Sequence, residues 1–228
     1  LKAGYVYVVD ADLKSYFDTI PHDRLLMRIG EKISDSGMLT LIEAFLKQGV
    51  MDGLREWTPE EGSPQGAVIS PLLSNIYLDP LDHLMAAAGF EMVRYADDFV
   101  ILCRTAEEAS SALALVQQWT AEAGLTLHPE KTHVAHAVSD GFEFLGYHFT
   151  RGERFPRAKS LKKLKTTIRT NTGRKQRHGI ESTISEVNAT LVGWFQYFQH
   201  VTKRYVFEDL DRFVRQRLQA ILKKQQKR

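Results

Sequence analysis

The sequence predicts an α+β fold. Three patterns carry that expectation. Residues 5–12, YVYVVDAD, form an apolar run rich in Val and Tyr. Two apolar arms at 91–103, EMVRY and FVILC, flank an Asp-Asp pair. Apolar residues then step at helical spacing through the last third of the chain. Strand, helix, strand, hairpin, helix and strand in succession, followed by helices alone, is an α+β order.

Each element has its own signal. Residues 5–12 read as a buried strand. A helix follows with Leu25, Leu26 and Ile29 on one face, and another begins near Asp35 with Met38, Leu41, Ile42 and Phe45 at helical spacing. Residues 49–66 are punctuated by Gly and Pro, with a polar turn at Pro59-Glu60-Glu61-Gly62. A long helix is expected from Ser70 to Ala88, with Leu72, Leu73, Ile76, Leu84 and Met85 as its stripe. The arms at 91–103 read as a hairpin with Ala96-Asp97-Asp98 between them. An amphipathic helix spans 106–123, and Thr132–Val138 reads as pairing with Phe142–Phe149. Beyond a boundary at Thr150–Pro156, three helices are marked by Leu161, Leu164 and Ile168, by Val187, Leu191, Trp194, Phe198 and Val201, and by Leu210, Phe213, Val214, Leu218 and Ile221. The domains expected are 1–150 and 151–228.

The 228 residues are 43% hydrophobic and 25% charged, enough for a core. One cysteine, Cys103, excludes a disulfide framework and a multi-cysteine zinc site. No apolar run approaches the ~20 residues of a membrane span and no signal peptide opens the chain, so no membrane partner is expected. The chain enters the Tyr5–Val9 run almost at once, as a fragment or truncated copy would. The net charge of +2 conceals a division. Residues 1–149 carry 10 Lys and Arg against 22 Asp and Glu, a net of −12; residues 150–228 carry 20 against 6, a net of +14. Such asymmetry points towards nucleic acid or to a solvated basic tail.

Asp12 ends an otherwise apolar strand, and Asp97 and Asp98 lie between two apolar arms. Burying the arms gathers carboxylates at one sheet edge, where their charges repel. A divalent cation relieves this, and few protein carboxylates completed by phosphate and water is the magnesium pattern. An ordinary Asp-rich turn is the alternative. His22, His128, His133 and His136 make no metal pattern; His133 and His136, three apart on a strand, point to opposite faces.

These residues sit in a series of motifs. YADD at 95–98, DADLKSYFDTIPHDRL from Asp10, GSPQGAVISPLLSNIYLDPLD from Gly62, GLTLHPEKT from Gly124, FEFLGYHF from Phe142 and LVGWFQYF at 191–198 follow one another in order. Together they resemble the reverse transcriptase/maturase family encoded by bacterial group II introns. The resemblance implies a right-hand polymerase palm, an RRM-like antiparallel sheet with helices on one face, followed by an α-helical basic thumb or maturase region. It implies an RNA-directed DNA polymerase that adds deoxynucleoside triphosphates to a DNA primer on an RNA template. Two Mg2+ ions, with Mn2+ as a substitute, would be held by Asp12, Asp97 and Asp98, Asp12 and Asp97 foremost.

Further roles follow from the same resemblance. Lys131 would meet the triphosphate. Phe17 would be the steric gate against ribose, with Tyr16 the second choice. Gln65 and Gly66 would form the nucleotide-proximal corner, where glycine lets backbone approach closely. Asp18 fits the pattern too, but is better read as capping the helix after Pro21 or making a turn. Asn75 would reach the template side, and Arg94 would pair with a phosphate or an acidic residue. Arg157, Lys159, Lys162, Lys163, Lys165, Arg169, Arg174, Lys175 and Arg177 would follow a phosphate backbone. Trp194 and Phe198 belong to a core stripe rather than to base stacking.

The family's fingers region does not precede Leu1, so a fingers segment or a second copy of the chain is an expected partner. The zinc-type cysteines and endonuclease often found after the thumb are not expected. A bacterial cytoplasmic location is expected, and intron RNA is an expected ligand. Two other readings remain open: a non-catalytic RNA platform for intron splicing, and a CRISPR-linked relative of the same enzymes.

Overall fold

The apolar run near the start forms β1 (Tyr7–Asp12), whose alternation sends Val9 and Ala11 into the core. A computed structural model describes every residue except 1–2, 49, 53–54, 58–60, 64–66, 174–178 and 226–228. After β1 come α1 (Tyr16–Thr19), α2 (His22–Gly30), α3 (Ser36–Leu46), a short hairpin of β2 (Val50–Asp52) and β3 (Arg55–Trp57), and α4 (Ser70–Ala87). Then follow β4 (Glu91–Tyr95), β5 (Asp98–Cys103), α5 (Ala106–Glu122) and β6 (His133–His136). Asp35 caps α3 by accepting from the Met38 amide at 2.9 Å, and Thr105 caps α5 through the Glu108 amide at 3.1 Å.

β4, β5, β1 and β6 lie side by side in that order, each pair antiparallel. Val9, Ala11, Phe99, Ile101 and Cys103 point to one face and pack with Leu25 and Ile29 of α2, Tyr77 and Leu81 of α4, and Ala112 and Val116 of α5. The helices therefore cover one face of an antiparallel sheet, the architecture expected.

Two helix faces differ from their expected phase. On α3 only Ile42 and Leu46 are buried, while Met38, Leu41 and Phe45 are exposed. On α4 Leu72 is 58% exposed, and the buried stripe runs through Ser70, Leu73, Ser74, Tyr77, Leu81 and Met85. Polar groups can occupy that stripe because they find partners. Ser63 Oγ donates to Ser70 Oγ at 2.7 Å, and Tyr77 donates its hydroxyl to the Ala123 carbonyl at 2.5 Å.

The chain divides into two compact units, Leu1–Ala137 and Val138–Arg228. The expected pairing of 132–138 with 142–149 does not form. β6 joins β1, and the later segment folds on itself as β7 (Phe142–Phe144) and β8 (Tyr147–Thr150), joined by β9 (Glu153–Pro156) in a three-stranded sheet. Its turns explain this. Leu145 and Gly146 have φ of 48° and 77°, and Arg151 and Gly152 of 50° and 73°. Positive φ at both central residues is the two-residue turn that matches strand twist. A strand thus occupies the stretch expected as a linker.

The second unit continues with α6 (Ala158–Asn171), α7 (Ile180–Phe198) and α8 (Tyr205–Gln225). Leu164, Ile168, Val187, Leu210 and Val214 form its core, with Leu191, Trp194 and Phe213 packed against it. Tyr147 donates to the Tyr197 carbonyl at 2.5 Å, and Tyr197 donates to the Leu145 carbonyl at 2.8 Å. These bonds bind the small sheet to α7 and account for its place in this unit. Among the described residues, no helix is long and apolar enough to cross a membrane.

Candidate active site

The site begins with strand register. β1 and β5 pair so that Asp12 lies directly opposite Asp98, next to Ala11 opposite Phe99. Ala11 and Phe99 face the helix-covered core, so alternation sends both Asp side chains to the other face. Like charges directly opposite one another destabilise a strand pair. Tyr95 pairs with Asp98, so the β4–β5 turn contains two residues, Ala96 and Asp97, rather than the expected three. Ala96 has φ of 56°, a left-handed conformation that costs free energy for a residue with a β-carbon.

The turn brings Asp97 within electrostatic reach of Asp12. Burial pushes the Asp97 carboxyl above the ordinary aspartate range, and the Asp12 charge adds to that rise while Lys131 opposes it. Lys131 Nζ lies 3.0 Å from Asp12 Oδ2. The loop carrying Lys131 clasps Asp12 from both sides: the His128 amide donates to the Asp12 carbonyl at 2.7 Å, and the Asp12 amide donates to Thr132 Oγ1 at 3.4 Å. Residues 119 positions apart in sequence are thereby fixed around one carboxylate.

Among the described residues, no three His, Cys, Asp or Glu side chains converge closely enough to enclose an ion. Asp12 and Asp97 nonetheless fit a hard divalent cation. They are oxygen donors in repulsive proximity, one of them held against its charged form. Magnesium typically takes only one or two carboxylates and completes its shell with water and substrate phosphate.

The segment after Asp12 places the two aromatic candidates differently. Tyr16 is 1% exposed and donates its hydroxyl to the Ser74 carbonyl at 2.9 Å, so it is a core residue rather than a nucleotide contact. Burial pushes its phenol strongly upward. Phe17 is half-buried, with its ring 5.5 Å from that of Tyr16. Its carbonyl accepts from the Ser63 amide at 2.6 Å, and the Ile20 carbonyl accepts from the Gly62 amide at 2.8 Å. Gly62, in the sequence a turn residue and the first residue of the GSPQG motif, makes the closest approach in this region. It has φ of +88°, and an added β-carbon would meet backbone atoms of Phe17 and Asp18 at 2.8 Å. Gln65 and Gly66 lie outside the described residues.

Arg94 pairs with an acidic residue as expected, but the partner is Asp82 on α4; Asn75 accepts from the same guanidinium rather than facing outward alone. Nothing in the local sequence marks this network, because its members come from a helix and a strand with different periods.

In the second unit the expected basic row separates. Lys159, Lys162 and Lys163 are exposed on α6. Lys165 and Arg169 lie over the Phe213 ring at 5.7 and 5.3 Å from its centroid, and Arg157 faces Glu143 at 3.8 Å. Arg174, Lys175 and Arg177 lie outside the described residues.

Gly62→Ala is expected to cost about 2–4 kcal/mol of stability, since both steric overlap and positive φ oppose it. A urea unfolding curve unchanged from the parent would show that this contact does not hold the loop.

Comparison with known proteins adds the family. Residues 1–149 match the model for "Reverse transcriptase (RNA-dependent DNA polymerase)". Residues 161–228 match that for "Group II intron, maturase-specific domain". Protein YkfC of Escherichia coli (strain K12) is 32% identical over 180 residues, covering 64% of this chain and 47% of that protein. The group II intron-encoded protein LtrA of Lactococcus lactis subsp. cremoris is 43% identical over 79 residues, covering 35% of this chain and 13% of that one. The chain thus spans less than half the length of these relatives. A solved telomerase from Candida albicans, in complex with a fragment of telomeric RNA, superposes with a TM-score of 0.57 over 94% of this chain and 44% of that one, at 13% identity, a likeness of fold. The chain belongs to the reverse transcriptase family, in the branch that carries a group II intron maturase domain.

Proposed function

We propose that the chain carries the polymerising centre of a group II intron-type reverse transcriptase, which adds deoxynucleotides to a primer 3′-hydroxyl on an RNA template. The observation that supports this most is the meeting of Asp12, Asp97 and Lys131 at the open end of the β1–β5 pair. Asp12 and Asp97 would hold divalent ions, with Asp98 beside them. Bound Mg2+, or Mn2+ in its place, supplies charge neutralisation for in-line phosphoryl transfer. Phosphoryl transfer asks a protein mainly for position and charge. The sheet fixes Asp12, the turn presents Asp97, and the clasping loop delivers Lys131. In this reading Lys131 turns from Asp12 to the triphosphate when substrate binds, stabilising the leaving pyrophosphate. Phe17 crowds the sugar 2′ position, with Gln65 and Gly66 beside the nucleotide.

The second unit would hold the template–primer hybrid. Among the described basic residues of α6, exposed Lys159, Lys162 and Lys163 are free of the ring and carboxylate contacts made by Lys165, Arg169 and Arg157 and would meet phosphates, in contacts that are salt-sensitive. The maturase-specific match also favours intron RNA as a ligand, and a splicing platform as the second reading. Catalysis separates the two readings, since a platform needs no ion-holding carboxylates.

Two outcomes are expected. In primer extension on RNA with Mg2+ and deoxynucleotides, supplemented where needed with a family-type fingers segment, Asp97→Ala abolishes addition. Its melting temperature in metal-free buffer does not fall, because a crowded carboxylate is removed. Retained extension by that variant excludes Asp97 as an ion holder. Replacing Lys159, Lys162 and Lys163 together with Gln lowers the magnitude of the salt slope of hybrid binding by about 2–3. An unchanged slope removes this face of α6 from the binding surface.

A further inference from the structure

Ala96 occupies a left-handed conformation immediately before Asp97, and one side chain reaches across to hold it. Arg94 Nη1 donates to the Ala96 carbonyl at 2.9 Å. The same nitrogen donates to Asn75 Oδ1 at 2.9 Å, and Nε donates to Asp82 Oδ1 at 2.7 Å. Nη2 donates to Asp82 Oδ2, completing a two-pronged pair. Asn75 and Asp82 are seven residues apart on α4, two helical turns, and so share a face. The Arg94 side chain is only 11% exposed, which makes it part of the framework rather than a free cation awaiting phosphate.

A planar guanidinium with several donors can serve these four acceptor atoms on three residues at once; an ammonium cannot match that fork. α4 is anchored in the core through Leu73, Tyr77, Leu81 and Met85. The guanidinium therefore transmits the position of a rigid helix to the carbonyl of a strained turn residue.

We infer that Arg94, fixed by Asp82 and Asn75 on α4, is a positioning residue that holds the Ala96–Asp97 turn and so sets the Asp97 carboxylate beside Asp12. The inference rests on the proposed role of Asp97 only for its catalytic consequence; the holding of the turn stands apart from it. A small displacement of a ligand carboxylate is enough to slow phosphoryl transfer while leaving substrate binding intact.

The test uses the full chain with Arg94→Lys, which keeps charge for Asp82 but loses the fork, and with Asp82→Asn as a second variant. Amide hydrogen exchange at residues 96–98, read without substrate or metal, is expected to accelerate about tenfold or more in both. Exchange at Val9 and Ile101, in the middle of the β1–β5 pair, stays at the parent rate. Under the extension conditions above, kcat falls about tenfold to a hundredfold, with the KM for deoxynucleotide and the hybrid affinity within about twofold of the parent. Parent-like exchange at 96–98 in Arg94→Lys overturns the inference, as does accelerated exchange spread evenly over the sheet. If the parent chain fails to extend a primer, the proposed function fails on its own, and the exchange comparison still decides whether Arg94 holds the turn.

Discussion

The antiparallel register of β1 and β5 is the constraint on which the first unit depends. It sends Ala11 and Phe99 into the core and, one position on, sets Asp12 opposite Asp98. The same alternation that buries the apolar residues therefore forces two carboxylates onto the opposite face. A shift of one residue would turn the carboxylates towards the helices and carry Ala11 and Phe99 away from them, so apolar packing against the helices enforces the electrostatic conflict. Asp97, carried in by the adjoining turn, adds to it. Lys131 answers part of this charge in the chain alone, and a substrate-bound cation would answer the rest.

The surroundings serve that arrangement. The loop from His128 to Thr132 grips the Asp12 backbone, and the Gly62–Ser63 segment grips the backbone of Phe17 and Ile20. Each grip joins segments remote in sequence, through main-chain atoms except for the Thr132 hydroxyl that accepts from the Asp12 amide, and main-chain contacts tolerate changes of side chain around them. The exception is Gly62, where the approach to Phe17 and Asp18 leaves no room for a β-carbon.

Much of this was legible in the sequence because the long elements have unmistakable periods. The strand ending at Asp12, the hairpin around YADD and the helices of the second unit follow directly from alternation and helical stepping. Where hydroxyls replaced hydrocarbon, the reading lost phase. Ser70, Ser74 and Tyr77 are buried on α4 while Leu72 is exposed, because hydrogen-bond partners decide what polar groups cost. Short hairpins closed by Leu145-Gly146 and Arg151-Gly152 lack the Asn-Gly or Asp-Gly signal that marks such turns in a sequence. The site's carboxylates were visible as motif residues. Arg94 as their support was not, since its partners Asn75 and Asp82 become neighbours only after a helix docks on a sheet edge. Likewise the basic residues of α6 read as one row, yet the Phe213 ring of α8 claims Lys165 and Arg169.

Under the proposed function, the crowded carboxylates at the β1–β5 end await a divalent cation. Titration of the full chain with Mn2+, followed by the loss of the free-ion paramagnetic resonance signal, tests it most directly. Bound Mn2+ is expected in the parent chain and is lost when Asp12 and Asp97 are both replaced by Asn, with the fold intact by circular dichroism. Equal Mn2+ binding by the parent and the double variant, or none by either in the presence of hybrid and deoxynucleotide, would contradict it.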